Sequence, residues 1–460
     1  MEMTLRRVGV VALGLLLVAS TSGGTALARA GNAAAAGTVG GFSYGQLQDQ
    51  TVGGTGCGTN PDGEPSVHVS KANLVEVGSE RGVGSGSELW RATQPGGSSA
   101  DACRPTYSGQ PNAVGPIGAS GGDIDTAFAP VRSSAGTYRL YVASLNLASV
   151  NVAVSNDNGR TFSQMPVQGG IPLDDREWIA AYGADTSLLT YHDIASNNID
   201  VLRSDSGAGP YTQIAAAIPA TDYKAGNNEL GNIVIDHRNP SPKAGGFWAY
   251  QSFVAPSTPN GSTYNEAFLA VSDDGGHSWT DKPIPCTTKF GGNGFGHQFP
   301  NVSVAPNGRL FYAVSNGKAV YVASSTDHGN TWTCSGAVSS TVEAVMPWIV
   351  ATSAGEDLVY YGTPTSASGQ TWSVYFAQNR AQSVSGWKTT PLMPVHKGSI
   401  CEGGVSCSGG RQLFDDFGVD TDQAGWAHIA YSHDSPGLGG SGTYTGYAVQ
   451  RSGTRVGAPN

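Results

Sequence analysis

Charge is scarce in this sequence. Only 13% of its 460 residues are Asp, Glu, Lys or Arg, and 25 basic residues against 35 acidic ones leave a net charge of −10. A nucleic-acid partner needs a basic surface to meet its phosphates, so that class is excluded, and an acidic face repels anionic lipid. Long apolar runs are scarce too. The longest, Val8 to Ala19, falls short of the roughly 18 residues that a membrane-spanning helix requires, so membrane insertion is not expected. No C-x-x-C or H-E-x-x-H is present, which removes the common signatures of zinc; neither a metal nor a cofactor is expected. A helix-favouring composition is missing as well: 65 Gly and 25 Pro, alongside Ser, Thr, Val, Tyr and Trp, suit strands and tight turns. The chain reads as all-β.

What is present begins with an export signal. Arg6 and Arg7 form a positive n-region, Val8 to Ala19 an apolar h-region, and Ala26-Leu27-Ala28 a small-residue cleavage site. Residues 1–28 are therefore expected to be a signal peptide, and the protein a secreted, extracellular monomer. In an exported chain the six cysteines are expected to form three disulfides. Six thiols allow 15 connectivities; Cys401 and Cys407 can close a local loop, and Cys57 with Cys103 and Cys286 with Cys334 are the longer links expected here.

Three segments share the template S-x-D-x-G-x-[ST]-[FW]: SNDNGRTF at 155–162, SDDGGHSW at 272–279 and STDHGNTW at 325–332. Their separations of 117 and 53 residues leave room for a fourth copy, and VLRSDSGAGPYT at 201–212 fills the slot in degraded form. A period near 50 to 60 residues marks a repeat architecture. Each copy lies between alternating segments, as the turn of a β-hairpin does, with Asp to accept turn N–H groups and Gly to take a positive φ. Around these hairpins seven units can be laid out, with first strands beginning at EPSVHV (64), DIDTAFA (123), DREWIAAYG (175), ELGNIVID (229), HQFPNVSVA (297), VMPWIVAT (345) and DDFGVDTD (415). Four-stranded meanders repeated around an axis make a single β-propeller of seven blades, over residues 61–455. Six blades with an N-terminal extension is the alternative. Within the N-terminal segment 29–60, residues 40–54 are expected to supply the outer strand of blade seven, which closes the ring.

The three motif copies resemble the Asp boxes, or BNR repeats, of the sialidase superfamily. The resemblance implies a sialidase-like propeller whose Asp boxes sit on the rim away from the active site. That superfamily includes sialidases, other glycosidases, lyases and non-catalytic propellers. Sialidases carry an Arg-Ile-Pro motif and an arginine triad that grips the sialate carboxylate. Here Glu64-Pro65-Ser66 stands at the corresponding position, and only Arg176 and Arg411 lie where rim arginines are expected. A true exo-sialidase is not expected.

In a meander the approach to strand one and the end of strand two share a rim, so the reactive groups are sought there. Asp175, Glu177, Asp193, Asp123 and Asp416 are the candidate catalytic carboxylates, because glycoside hydrolysis needs two carboxyls flanking the scissile bond. Arg176, His192, Glu229, His297 and Trp178 are the candidate substrate-binding residues. The expected function is glycoside hydrolysis on an extracellular glycan or glycoconjugate; the alternative is a non-catalytic propeller that binds glycans or proteins.

Overall fold

A computed structural model describes residues 36–460 apart from 83–85, 112–121, 147–148, 169–173, 296–298, 367–368, 404–406, 409–410 and 435–441. Among the described residues there is no α-helix, only three short 3-10 turns between strands. The strands form seven separate sheets, each built on an antiparallel meander; a short parallel strand, Val167–Gln168, edges the sheet of blade III, and blade VII takes its outer strands from the start of the chain. The first strands of blades I to VII are Gly63–Val69, Ile124–Arg132, Asp174–Tyr182, Glu229–Ile235, Asn301–Val304, Glu343–Ala351 and Gly418–Thr421. Each first strand contacts that of the next blade, and the seventh contacts the first, so the ring closes about an axis.

Blade VII is completed from the other end of the chain. Phe42–Gln46 runs antiparallel to Tyr444–Gln450, and Ala36–Val39 adds a fifth strand outside it. Gly45 is required here, because a Cβ would lie 2.2 Å from Cys57 Sγ. That sulfur is bonded to Cys103 across a separation of 46 residues, and Cys286 is bonded to Cys334 across 48. Closing loops of that length restricts the unfolded chain enough to contribute about 4 kcal/mol each. Cys401–Cys407 closes a loop of 6 residues just before blade VII.

Polar side chains on the first strands tie neighbouring blades along the axis. Asp420 Oδ2 of blade VII accepts the Val69 N–H of blade I (2.7 Å), and His68 Nε2 of blade I meets Asp125 Oδ1 of blade II at 3.0 Å. Asp125 Oδ2 accepts the Ile179 N–H of blade III (2.9 Å). Asn232 Oδ1 accepts the Val302 N–H of blade V (2.8 Å), and Asn301 Oδ1 the Ile349 N–H of blade VI (2.6 Å). Aromatic contacts bridge the other two interfaces. Tyr182 stacks on Phe247 between blades III and IV (4.3 Å), and Tyr361 on Phe417 between blades VI and VII (3.9 Å).

The three Asp boxes are turns between third and fourth strands with one hydrogen-bond pattern. In the first, Ser155 Oγ donates to Asp157 Oδ1 (2.8 Å), and the Gly159 N–H donates to Ser155 Oγ (2.9 Å). Thr161 donates its N–H (2.9 Å) and its hydroxyl (2.7 Å) to the two Asp157 oxygens. Burial alone would raise the Asp157 pKa, but these bonds outweigh it and hold the carboxyl at about 2, as they do for Asp274 and Asp327. The fourth residue of each box is left-handed: Asn158 (φ 63°), Gly275 (76°) and His328 (56°), with Gly207 (60°) in the degraded copy. Its carbonyl turns outward and receives a cation from the preceding blade. Arg91 reaches Asn158 O (2.9 Å), Arg139 reaches Gly207 O (2.7 Å), Arg203 reaches Gly275 O (2.7 Å) and Lys282 reaches His328 O (2.8 Å). The repeat is therefore both a turn and a lock between blades.

Candidate functional site

The antiparallel order of each blade puts the start of strand one and the end of strand two on one rim, and the Asp boxes on the other. On the first rim, seven carboxyls and two guanidiniums collect from four blades: Glu64 and Glu80 of blade I, Asp123 of blade II, Asp175, Arg176 and Glu177 of blade III, and Arg411, Asp415 and Asp416 leading into blade VII. Oxygens of Glu64, Glu80 and Asp123 lie within 4.8 Å of one another.

The backbone there is irregular in a way that aims side chains. β-Bulges interrupt the first strands between Gly63 and Ser66, between Asp175 and Glu177, and between Val345 and Trp348. Inside them Glu64 (φ 48°), Arg176 (41°) and Met346 (53°) are left-handed without being glycine. Each such residue costs about 1–2 kcal/mol. A bulge re-aims its side chain out of the alternating pattern, which is how one strand can send Asp175, Arg176 and Glu177 to one place. Ser432 Oγ of blade VII steadies the Glu64 turn by accepting its N–H (3.1 Å).

Both arginines are committed to the protein's own carboxylates. Arg176 is buried, pairs with Asp416, and lies over the Trp178 ring at 3.9 Å. Arg411, 22% exposed at its side chain, reaches Glu64 Oε1 at 2.8 Å and also pairs with Asp415. The acids outnumber them. Burial, and then the charge of Asp123, push Glu80 up to about 8, against Arg411, a bond from Glu64 and Arg176. Burial raises Glu64 well above the ordinary carboxylate range, with Asp123, Glu80 and Asp415 adding to it. Glu177 is raised in the same way by burial and Asp123, against Arg176 and a bond from its own backbone N–H. Burial raises Asp416 to about 7 although Arg176 works against it. Asp175 reaches solvent, yet the atoms crowded round its carboxyl and the charge of Asp123 bring it to about 6.

Five of the residues expected from sequence thus meet here: Asp123, Asp175, Arg176, Glu177 and Asp416. Trp178 is adjacent but 1% exposed, so it offers no open face to a sugar and bears on the mouth through Arg176. Asp193 and His192 pair in register with Asp174 and Asp175 at the end of the second strand of blade III. Asp193 Oδ1 accepts the Ala195 N–H (2.8 Å), a turn-forming bond. Burial lowers the His192 pKa, so that imidazole is neutral at pH 7. Glu229 begins the first strand of blade IV, and its charge, after burial, raises the Tyr264 pKa. His297 lies outside the described residues. Sequence reasoning missed Glu80. The segment Leu74 to Gly78 suggests a strand that stops at the glycine, whereas the strand continues to Glu80 and carries it to the rim.

No family model and no curated protein matches this chain. Solved structures do show likeness in chain path. The GH74 xyloglucanase from Xanthomonas campestris is similar at a TM-score of 0.48 and 14% identity, over 85% of this chain and 53% of the other. This chain therefore spans about half of that enzyme. The GH93 α-L-arabinofuranosidase of Fusarium graminearum is similar at 0.44 and 11%, over 88% of this chain and 96% of that one. The intramolecular trans-sialidase from Ruminococcus gnavus is similar at 0.39 and 10%, over 81% and 90%. Likeness at this level assigns no activity. Strand pairing makes the protein a seven-bladed β-propeller.

Proposed function

We propose that the protein is a secreted monomeric glycoside hydrolase whose cleft is the acidic mouth of the propeller. The observation that carries this reading is the pair of carboxyls left accessible among buried, arginine-tied ones: Asp123 is half-buried and Asp175 exposed. Asp175, held at about 6, is the proton donor to the leaving oxygen, and Asp123, the charge that keeps the proton on it, supports the positive charge developing at the anomeric carbon. Three disulfides accord with an exported protein.

The substrate is neutral where it is cut. Arg176 and Arg411 are both engaged by internal carboxylates, so no free guanidinium among the described residues of the mouth awaits a sialate or uronate. A non-catalytic glycan binder is the second reading, favoured by the same ion pairs, which hold blades I, III and VII together. Product analysis on a panel of neutral, sialylated and uronate glycans separates the readings. Hydrolysis of a neutral glycan, lost in Asp175→Asn and Asp123→Asn, is expected. Binding without turnover supports the second reading, and release of sialic acid overturns the neutral-substrate assignment.

A further inference from the structure

We infer that a groove between the last strand of blade IV and the Asp box of blade V binds an acidic oligosaccharide, one whose sugars bear carboxylate or sulfate groups. The groove has a volume of about 680 Å³, within the roughly 300–1,000 Å³ of ordinary ligand sites. None of the charged residues of the acidic mouth lines it. One wall is the strand Thr280–Ile284, and the other is the end of the third Asp box. Cys286, just beyond that strand, is bonded to Cys334, two residues past Trp332. A covalent link therefore joins the walls, and little order remains to be lost on binding.

Both walls carry groups suited to this ligand. Trp332 lines the groove half-buried, whereas Trp279, at the same position of the preceding box, is 9% exposed. An indole offers an apolar face to the C–H side of a sugar ring. Lys282 stands beside it: a Cβ at Gly329 would lie 3.4 Å from Trp332 Cζ2 and 3.6 Å from Lys282 Cδ. The Lys282 ammonium donates to His328 O (2.8 Å) and Asn330 Oδ1 (2.9 Å), which leaves the third of its N–H donors. Lys289, exposed, lines the groove as well. No Asp or Glu is among the described lining residues, so a protein of net charge −10 presents two ammonium groups here. Asp327 and Asp273 act on Lys282 from outside the lining; Asp327 is committed to Thr331 within its turn and Asp273 to Lys243. Charge complementarity thus calls for an anion. A peptide fits less well. The wall strand is a sheet edge, where a peptide would add as a further strand, but Pro283 and Pro285 have no N–H to offer it. The groove goes beyond the hydrolytic reading and does not depend on it, since a chain cut at a neutral sugar can hold its acidic sugars here.

Calorimetric titration of the full chain with an oligogalacturonate hexamer, a sulfated glucan hexamer and a neutral glucan hexamer tests the inference. An acidic hexamer is expected to bind, less tightly as salt is added. Trp332→Ala is expected to weaken that binding by roughly tenfold or more, and Lys289→Glu by roughly fivefold. Lys388→Glu, the same change of charge at an exposed position of blade VI, is expected to leave it unchanged. If Trp332→Ala does not fold, Lys289→Glu carries the test. Binding confined to one acidic hexamer supports the site and names its anion. No heat with either acidic hexamer overturns it, as does equal binding of the neutral one, binding that survives both groove substitutions, or an equal loss in Lys388→Glu. The readout needs no turnover, so a failed hydrolysis assay leaves the groove standing, and failure of the groove leaves the proposed function standing.

Discussion

At the scale of single residues, the mouth is governed by who holds a proton and who holds a partner. Asp175 acts as a donor only while protonated, so hydrolysis is expected to fall as pH rises through about 6, its folded value. A pH profile of kcat checks this, and activity still climbing at pH 8 would remove Asp175 from the role. Replacing it by Asn is expected to lower kcat by roughly 10² or more, the usual worth of a positioned acid. Arg176 has a different job. It is buried against Trp178 and Asp416 beside Glu177, so Arg176→Met strands carboxyls in the interior and is expected to cost about 3–5 kcal/mol. Urea unfolding measures it, and a loss below about 1 kcal/mol would show the pair to be dispensable.

At the scale of the element, the Asp box is a turn whose aspartate pKa is about 2 in the folded protein against an ordinary 3.8. The sign is that of a depressed carboxylate: its stabilisation is complete above about pH 4 and is lost as pH falls towards 2. Stability is therefore expected to drop over that window, and to drop less in Asp274→Asn, which has no charge to lose; parallel pH curves for the two proteins would contradict it. The outward carbonyl of the fourth box residue extends the turn's reach to the next blade. Arg203→Ala, which frees Gly275 O, is expected to cost about 1–2 kcal/mol in an unfolding titration. No change at all would reduce that lock to a surface contact.

At the scale of the whole molecule, ring closure and cleft are separable. Opening Cys57–Cys103 with a double Ser variant is expected to cost about 4 kcal/mol, because it frees the segment that finishes blade VII. Opening Cys401–Cys407 removes a short loop worth about 2 kcal/mol, but that loop leads to Arg411, so activity is expected to suffer more than stability. Comparing melting temperature and kcat for the two variants decides this. Equal effects on both quantities would deny that the short bridge serves the mouth.

Much of this was legible in the sequence because turns and strands are local. The boxes at 155, 272 and 325 needed only their own eight residues to set hydrogen bonds and φ angles, and alternation fixed the seven inner strands. Local chemistry also named Asp175, Arg176 and Glu177 as one group. What tertiary structure alone decided is which groups meet them. Glu64 and Arg411 are 347 residues apart, and their contact exists only because the ring brings blade VII back to blade I. Bulges that turn Glu64 and Arg176 left-handed break the alternation on which sequence reading depends. Burial, which sets the proton affinity of every acid in the mouth, is a property of that closed assembly, whereas the hydrogen bonds of a turn belong to a few consecutive residues.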